Sequence, residues 1–256
     1  MMKADLAVIG GTGVYKAEML EKTKELEIET RYGKANLLLG SYAGRTVAFL
    51  ARHGKGHSVP PHLVNYRANI QALKELGVRK IIATAAVGSL RLEMAPLDFV
   101  ILDQFLDFTK ARNSTFFEGG PEGVRHIDVT APYCPQLSAF LYDKAVQLGI
   151  KTHASGCYVC MEGPRYETPA EIKMLQILGG DVVGMTNVPE VILAREAGIC
   201  YATVAMVTNY GAGIAPSKLC HNEVVDVMQK LSENISRLIM TSLAEVSLEE
   251  GCNCCQ

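Results

Sequence analysis

The hydrophobic pattern of the chain alternates between short apolar runs and amphipathic stretches. The apolar runs are rich in β-branched residues, which predicts strands, and they cover 5–10, 46–51, 79–84, 98–105, 152–160, 181–184 and 199–207. Apolar positions three and four residues apart predict helices at 62–76, 135–148, 168–178, 188–197 and about 221–246. This alternation predicts an α/β fold.

Length and composition fit one hydrophobic core. The chain has 256 residues, of which 48% are hydrophobic and 20% are charged, and this size is near the upper end for a single core. We therefore expect one domain over residues 1–246 and a flexible tail over 247–256, which contains Cys252, Cys254 and Cys255. The long irregular stretch 110–124 is typical of a lid or an interface element.

The charge and the N-terminal segment exclude several partners. A net charge of -2 with few aromatic residues does not fit a nucleic-acid-binding surface. The first residues contain neither a secretory signal nor a membrane-spanning run, so we expect a cytoplasmic protein without membrane contact.

Cys134, Cys200 and Cys220 lie in apolar segments and are expected in the core. Cys157 and Cys160 lie in a strand-like run, which argues against a redox motif.

Two strand ends carry residues suited to an anion. After the first strand, Gly10-Gly11-Thr12-Gly13 offers backbone N–H groups and a hydroxyl, although a simple tight turn is an equal alternative. After the strand 46–51, Arg52 offers a planar fork for two phosphate oxygens and His53 offers a further donor. The interleaved Arg52 and Lys55 would repel a cation, so we expect no metal in this histidine-rich segment.

A third strand end, at 81–90, places the small residues Ala85 and Ala86 after an apolar run. Ligands bind at the carboxyl edge of open α/β sheets. The backbone N–H groups of these two residues are therefore candidates for an oxyanion pocket, while close packing of small residues is the alternative.

Five motifs, in this order along the chain, resemble the purine nucleoside phosphorylase and methylthioadenosine phosphorylase family. They are Gly10-Gly11-Thr12-Gly13, Arg52-His53-Gly54, Asn65-Tyr66-Arg67-Ala68-Asn69-Ile70, Glu162-Gly163-Pro164-Arg165-Tyr166 and Met185-Thr186-Asn187-Val188-Pro189-Glu190. The resemblance runs from about Ala4 to Leu243. It implies a single domain with a mixed, twisted sheet flanked by helices, and a homotrimer or a hexamer of two trimers. It also implies phosphorolysis of purine nucleosides by orthophosphate, with no metal or other cofactor.

The same resemblance assigns roles to individual residues. It implies phosphate contacts from Thr12, Arg52, His53, Thr186 and the backbone of Ala85 and Ala86. It implies pentose and base contacts from Met185, Tyr166, Glu167, Asn209 and Gly211, and 5′-end contacts from His126 and His221. Asn209 and His53 are the expected catalytic residues. Whether His126 acts in its own subunit or across a subunit interface stays open at the level of the sequence. Many relatives carry a hydroxyl where this chain has Ala85, which reduces that contact to the backbone.

Asn209 and Glu167 indicate which base is bound. A carboxamide both donates and accepts, which suits O6 and protonated N7 of a 6-oxopurine. The methylthioadenosine branch reads Thr-Asp-Tyr-Asp where this chain reads Thr208-Asn209-Tyr210-Gly211, so an adenine amine would lose its acceptors at about 1–3 kcal/mol per group. Glu167 can accept from the N1–H that adenine lacks, although an ordinary acid at a helix start is the alternative.

These positions together favour phosphorolysis of inosine and guanosine to the free base and ribose 1-phosphate. The segment His221-Asn222-Glu223-Val224 resembles the inosine and guanosine enzymes, unless His221 merely caps the last helix. His126 matches the methylthio branch, so 5′-methylthioinosine and 5′-methylthioadenosine phosphorylases are alternatives. A non-catalytic nucleotide-binding module is the alternative of another class. A metal-dependent nucleoside hydrolase is disfavoured because only Asp5 precedes Asp98, and that chemistry needs clustered aspartates.

Overall fold

A computed structural model describes residues 3–10, 20–215, 221–249 and 252, with residues 221–223 described through their backbone. The strands are β1 (Leu6–Gly10), β2 (Glu21–Thr30), β3 (Gly33–Tyr42), β4 (Arg45–Ala51), β5 (Lys80–Ser89), β6 (Phe99–Ile101), β7 (Gln104–Phe108), β8 (Thr152–His153), β9 (Cys157–Met161), β10 (Val182–Gly184) and β11 (Cys200–Tyr210). The helices are α1 (Tyr66–Glu75), α2 (Pro135–Gln147), α3 (Pro169–Ile177), α4 (Asn187–Glu196) and α5 (His221–Glu245).

The described strands form one mixed sheet. Its main path runs β2-β3-β4-β1-β5-β10-β9-β7, while β11 pairs with β5 and continues through β6 to β8. The central pairs β1/β4, β1/β5 and β11/β5 are parallel, whereas β2/β3 and β3/β4 are antiparallel. The predicted α/β fold with a mixed sheet flanked by helices is confirmed.

One edge of β5 changes its partner halfway along the strand. The described part of β1 pairs with it up to Ile9 opposite Ala83, and β10 pairs with it antiparallel from Gly88 opposite Val183. Along the other edge, β11 follows β5 over its whole length. Residues 84–87 therefore lie in a notch between the ends of β1 and β10. Such switch points are where open α/β sheets bind ligands.

Two apolar cores cover the two faces of the sheet. On one face Ile70 and Leu73 of α1 join Val191 of α4 in a fully buried cluster. On the other face, Leu141 of α2 packs in the same cluster as Ile235 of α5, whose apolar spacing predicted the long helix. Each such side chain contributes about 1.5–3 kcal/mol on full burial, so the two helix layers hold the sheet in place.

The antiparallel pair β2 and β3 is the main element absent from the sequence prediction. Strand β2 reads EKTKELEIET and is exposed over most of its length, so it lacks the apolar run that marked the other strands. It lies at the sheet edge, where charged side chains are common because they discourage pairing with other chains. The predicted strands 98–105 and 152–160 each divide into two, at β6 and β7 and at β8 and β9.

The cysteines follow the predicted pattern where they are described. Cys134 and Cys200 are buried, Cys157 and Cys160 lie in β9, and Cys220 lies outside the described residues. From the tail, Leu248 and Cys252 pack against the α2–α5 core, with Cys252 Sγ 3.3 Å from Cys134 Sγ. The tail is therefore in contact with the domain at these two residues, while Cys254 and Cys255 lie outside the described part.

Within the described residues, none of the helices combines the length and the apolar character needed to cross a bilayer.

Candidate active site

The carboxyl ends of the central parallel strands bring the predicted anion-binding segments together. Gly10 at the end of β1 lies opposite Ala51 at the end of β4, and the Arg52 backbone N–H donates to Gly10 O at 3.1 Å. Arg52 and His53, which follow β4, therefore lie beside the notch along β5. The rest of the glycine segment, Gly11, Thr12 and Gly13, lies outside the described residues.

Arg52 is held by a buried acid. Its Nε and Nη2 each donate to a Glu190 carboxylate oxygen at 2.6 Å, and its Nη1 donates to Thr84 O at 2.9 Å. Both charged side chains are 1% exposed, and Tyr201 donates a further 2.6 Å hydrogen bond to Glu190. The Nε and Nη2 edge of Arg52, which the sequence interpretation assigns to two phosphate oxygens, binds the Glu190 carboxylate instead, so that part of the interpretation is corrected. Within the described residues, three of the five guanidinium N–H groups have an acceptor, and the other two are proposed below for phosphate.

His53 is neutral and its tautomer is fixed. Its Nδ1 lies 2.8 Å from Val59 O, and because a carbonyl only accepts, Nδ1 must carry the proton. Burial and the neighbouring Arg52 charge lower the pKa of His53 to about 4. At neutral pH its Nε2 is therefore an acceptor. The sequence prediction of a further donor at His53 is corrected accordingly.

The two alanines of β5 face opposite edges of the strand. Thr84 O accepts from Arg52 on the notch side, and the Leu90 N–H pairs with Asp181 on that same side. Alternate residues share an edge, so the Ala86 N–H is directed into the notch. The Ala85 N–H is directed at β11, where Ala85 pairs with Ala205. The predicted Ala85 contact to an oxyanion is therefore wrong for its own N–H, and Ala86 is the suitable donor.

The residues predicted for the base and the pentose line one cavity. Its walls are Gly88, Tyr166, Glu167, Val183, Gly184, Met185, Asn209 and Gly211. Gly88 lies two residues beyond Ala86, or about 7 Å along the strand, so this base cavity adjoins the notch. Thr186 follows Met185, is buried, and donates its backbone N–H to Tyr158 at 3.0 Å.

Asn209 is oriented by its neighbours in the chain. The Thr208 hydroxyl donates to Asn209 Oδ1 at 2.8 Å, and Asn209 Nδ2 donates to Tyr210 O at 2.9 Å. A Cβ on Gly88 would come within 3.2 Å of Nδ2, so the glycine makes room for the amide. The carboxamide retains one N–H and one oxygen lone pair for a ligand.

Glu167 is a buried acid with an unused oxygen. The residue is 8% exposed, its Oε1 is buried without a hydrogen-bond partner, and burial raises the pKa of its carboxyl group. The helix-start role belongs instead to Glu171, which forms a capping box with Thr168 at the beginning of α3. The alternative interpretation of Glu167 as an ordinary helix-start acid therefore fails.

His126 does not join this site within one chain. It lines a separate cavity of about 420 Å³ with Lys74, Arg125 and Arg195 among its other walls, and this cavity shares no lining residue with the base cavity. The base cavity is much smaller, at about 50 Å³. It is the better candidate because buried polar groups converge on it. His221 begins α5, and its side chain lies outside the described part of the chain.

Comparison with known families gives the wider assignment. A family model described as "Phosphorylase superfamily" matches residues 5–244. The chain belongs to the phosphorylase superfamily. Relatives of this phosphorylase include the "Probable 6-oxopurine nucleoside phosphorylase" of Dictyoglomus turgidum, which is 56% identical over 97% of this chain and 94% of the relative. The "6-oxopurine nucleoside phosphorylase" of Pyrococcus furiosus is 54% identical over 97% and 96%.

A solved structure supports the fold of this phosphorylase. A methylthioadenosine phosphorylase from an antarctic soil metagenomic library superimposes with a TM-score of 0.93. It is 40% identical, and the match covers 100% of this chain and 91% of the other. The predicted family is thereby confirmed, and the site described above belongs to an enzyme.

Two functional neighbours escaped the sequence interpretation of this phosphorylase. The sequence interpretation gives Glu190 no role, although an acid inside the apolar run Val188-Pro189-Glu190-Val191-Ile192 indicates a buried partner. Thr208 precedes Asn209 directly, and an adjacent hydroxyl is common enough in strands that it carries no signal. Both are recognised only once their contacts are known.

Proposed function

We propose that this enzyme catalyses phosphorolysis of the 6-oxopurine nucleosides inosine and guanosine, giving the free base and ribose 1-phosphate. The observation that carries the proposal is the buried Glu167 oxygen without a partner, in the same cavity as Asn209. A buried acceptor left unpaired costs free energy, and a ligand that donates a proton there recovers it. The names of the two relatives above support the same substrate class.

The base is recognised by complementary donors and acceptors. Glu167 accepts from N1–H of hypoxanthine or guanine, the free Asn209 N–H donates to O6, and Asn209 Oδ1 accepts from protonated N7. Adenine has no proton on N1 and carries a donor in place of O6, so it would leave Glu167 unpaired. A site built on hydrogen bonds rejects an analogue that lacks them.

Phosphate is proposed to bind in the notch. The Ala86 N–H and the two remaining Arg52 N–H groups donate to it, with Thr12 and Thr186 as the further expected contacts. Neutral His53 accepts through Nε2 from the P–OH group of hydrogen phosphate, because its Nδ1–H is already donated to Val59 O. Because His53 binds the protonated oxygen, the nucleophilic attack is left to an unprotonated oxygen of phosphate.

The reaction then exchanges one bond at C1′ for another, without a metal or other cofactor. A phosphate oxygen forms a bond to C1′ as the bond from C1′ to N9 breaks, and the electron pair of that bond passes into the purine. A solvent proton taken up at N7 is held by Asn209 Oδ1, a contact that strengthens as charge accumulates and so lowers the barrier. The spacing of about 7 Å between Ala86 and Gly88 holds both reactants in register.

The test is a substrate panel. Inosine, guanosine, adenosine, 5′-methylthioadenosine and 5′-methylthioinosine are each incubated with and without orthophosphate, and the base and the pentose phosphate are measured. We expect release of hypoxanthine and guanine only with orthophosphate. Binding without release would support the non-catalytic module instead. 5′-Methylthioinosine is the second candidate substrate, because the proposed contacts of Glu167 and Asn209 are to the base alone and do not distinguish a 5′-methylthio group from a 5′-hydroxyl group.

We also propose that the complete site needs more than one copy of the chain. His126 is expected at the 5′ end of the nucleoside, yet it lines a different cavity from Asn209. A homotrimer, or a hexamer of two trimers, in which His126 reaches a neighbour would account for this separation. Light scattering of the purified enzyme tests the assembly, and a monomer with full activity would contradict it. A cytoplasmic enzyme that recovers purine bases is the corresponding expectation for the cell.

A further inference from the structure

Arg112 is a buried cation outside the site described above. It lies in the irregular segment between β7 and α2, and its side chain is 2% exposed. Burying a guanidinium group is costly unless its N–H groups are well paired. Its nearest carboxylate oxygen, Glu162 Oε1, lies 3.7 Å from Nε, so backbone carbonyls supply the principal compensation.

The carbonyls belong to two separate segments of the site. Arg112 Nη1 donates to Met185 O at 2.7 Å and to Val188 O at 2.8 Å. Its Nη2 donates to Glu162 O at 2.8 Å and to Met161 O at 3.3 Å. One planar group therefore fixes the distance between the end of β9 and the start of α4.

Both segments reach the base cavity, through Met185 in one and Tyr166 and Glu167 in the other, but only the segment of Met185 continues to the notch. The chain after Glu162 leads to Tyr166 and Glu167 at the base cavity. The chain from Met185 leads through Thr186 to Glu190, which holds Arg52 at the notch. Arg112 itself is not among the residues that line the base cavity.

The two segments also touch directly. Gly163 has φ +67°, and a Cβ at this position would lie 2.5 Å from Met185 Sδ. The contact leaves little space between the segments, so a change in their separation moves Met185 relative to Glu167. A rigid link at this point therefore controls the geometry of the base cavity and of the notch.

We propose that Arg112 is a positioning residue for phosphorolysis, which sets the distance between the bound base and the bound phosphate. The inference rests on the proposed function, since it assigns Glu167 to the base and the Arg52 region to phosphate. A misplacement of about 1 Å between reactants costs on the order of 100-fold in rate. Loss of Arg112 should therefore lower kcat strongly and change each KM little, because the base cavity and the notch each still bind their own substrate.

The experiment compares Arg112→Ala and Arg112→Lys with a matched control, Arg67→Ala. Arg67 of α1 forms an ion pair at 2.6 Å with Glu118, which lies in the same irregular segment as Arg112. This ion pair is separate from the carbonyls that Arg112 binds. We measure kcat, KM for inosine, KM for phosphate and Tm, all at a temperature well below each Tm. We then add guanidinium chloride at low millimolar concentration, with sodium chloride as the salt control.

We expect Arg112→Ala to lose about 100-fold in kcat with each KM within about threefold of wild type. Arg112→Lys should lie in between, because an ammonium group lacks the planar fork that spans both segments. Guanidinium should restore kcat of Arg112→Ala at least about tenfold, because that variant has a buried cavity lined by the carbonyls that Arg112 binds. It should leave wild type and Arg67→Ala unchanged, because wild type has no such cavity and Arg67 pairs with Glu118 instead.

Three results would overturn the proposal. They are a kcat within threefold of wild type in Arg112→Ala, a loss confined to one substrate's KM, and loss of the fold in both Arg112 variants, which would indicate a purely structural role. Wild type without phosphate-dependent activity would instead overturn the proposed function.

Discussion

Both carboxylate oxygens of Glu190 accept hydrogen bonds from Arg52, one from Nε and one from Nη2, at 2.6 Å each. Both side chains are buried, at 1% exposure. The acid fixes the guanidinium group beside the notch, and two of its N–H groups have no acceptor among the described residues. Buried pairs of this kind contribute little net stability compared with apolar residues, yet breaking one is expensive. The main effect of the pair is therefore to orient the Arg52 guanidinium group.

The first prediction concerns stability. Glu190→Gln should lower the free energy of unfolding by about 3–5 kcal/mol, since it leaves the Arg52 charge buried without compensation. Urea denaturation at pH 7 measures the change. The double variant Arg52→Met with Glu190→Met should recover much of the loss. As a control, Glu122→Gln removes an exposed ion pair with Arg31 and should have little effect. Equal effects of the two glutamine variants would contradict the buried role.

The second prediction concerns phosphate. Arg52→Lys keeps a positive charge opposite Glu190 but lacks the planar fork, so it cannot hold Glu190 and an anion in the same geometry. We expect the phosphate KM to rise about tenfold or more, with the inosine KM within about threefold. Initial-rate measurements with each substrate varied in turn decide the matter. A parallel rise of both KM values would remove Arg52 from the phosphate site.

The third prediction concerns the choice of base. Asn209→Asp replaces the N–H that faces O6 with a second acceptor, which favours an amino group at that position. The ratio of adenosine to inosine activity, as kcat/KM, should rise by about tenfold or more, given about 1–3 kcal/mol for a mispaired buried group. Parallel assays on both nucleosides measure it. If the ratio stays at its wild-type value, Asn209 plays no part in base selection.

The fourth prediction concerns Glu167 and pH. Burial raises the pKa of the Glu167 carboxyl group. Between the ordinary pKa of a glutamate and this raised pKa, the folded state binds more protons than the unfolded state, so the free energy of unfolding falls as pH rises through this range. Glu167→Gln should therefore stabilise the free enzyme at pH 7 while lowering kcat/KM for inosine. In wild type, kcat/KM for inosine should fall on the acid side as the carboxylate protonates. Urea denaturation and a pH profile of both enzymes test this, and a variant that is less stable at pH 7 would refute it.

The fifth prediction concerns His53, whose pKa is lowered to about 4 chiefly by burial. Between pH 4 and the ordinary value of 6.5 the unfolded state binds more protons, so stability is lost as pH falls through this window. The loss amounts to about 3 kcal/mol by pH 4. His53→Asn keeps a donor for Val59 O but does not titrate, so its stability curve should be flatter. Curves that run parallel over this range would show that His53 titrates normally.

The sequence predicts the fold and the base cavity well, for physical reasons. Apolar runs identify the buried strands, and the cavity residues Tyr166, Glu167, Met185 and Asn209 lie in or beside recognisable motifs. Strand β2 escapes because its exposed, charged residues give no apolar signal. The edge toward which the Ala85 N–H points depends on strand pairing, which the sequence does not reveal.

Long-range polar contacts escape prediction for a different reason. Arg112 binds carbonyls about 50 to 76 residues away, and a carbonyl has no signature in a sequence. The sequence alone directs the Arg52 fork to phosphate, because the partner of that fork, Glu190, is separated from it by 138 residues. Similarly, His126 lines a different cavity from Tyr166, Glu167, Met185 and Asn209.

The alignment of β5 with β11 has a consequence for how substrate choice can change. Ala86 and Gly88 belong to the same strand, and Gly88 pairs with Asn209 after a bulge in β11. A shift of one residue in this pairing would direct the N–H of a residue other than Ala86 into the notch. It would also separate the Asn209 carboxamide from Gly88. We therefore expect that replacing side chains can alter the preference among nucleobases, whereas inserting or deleting a residue in either strand would abolish the proposed binding of phosphate and of the purine together.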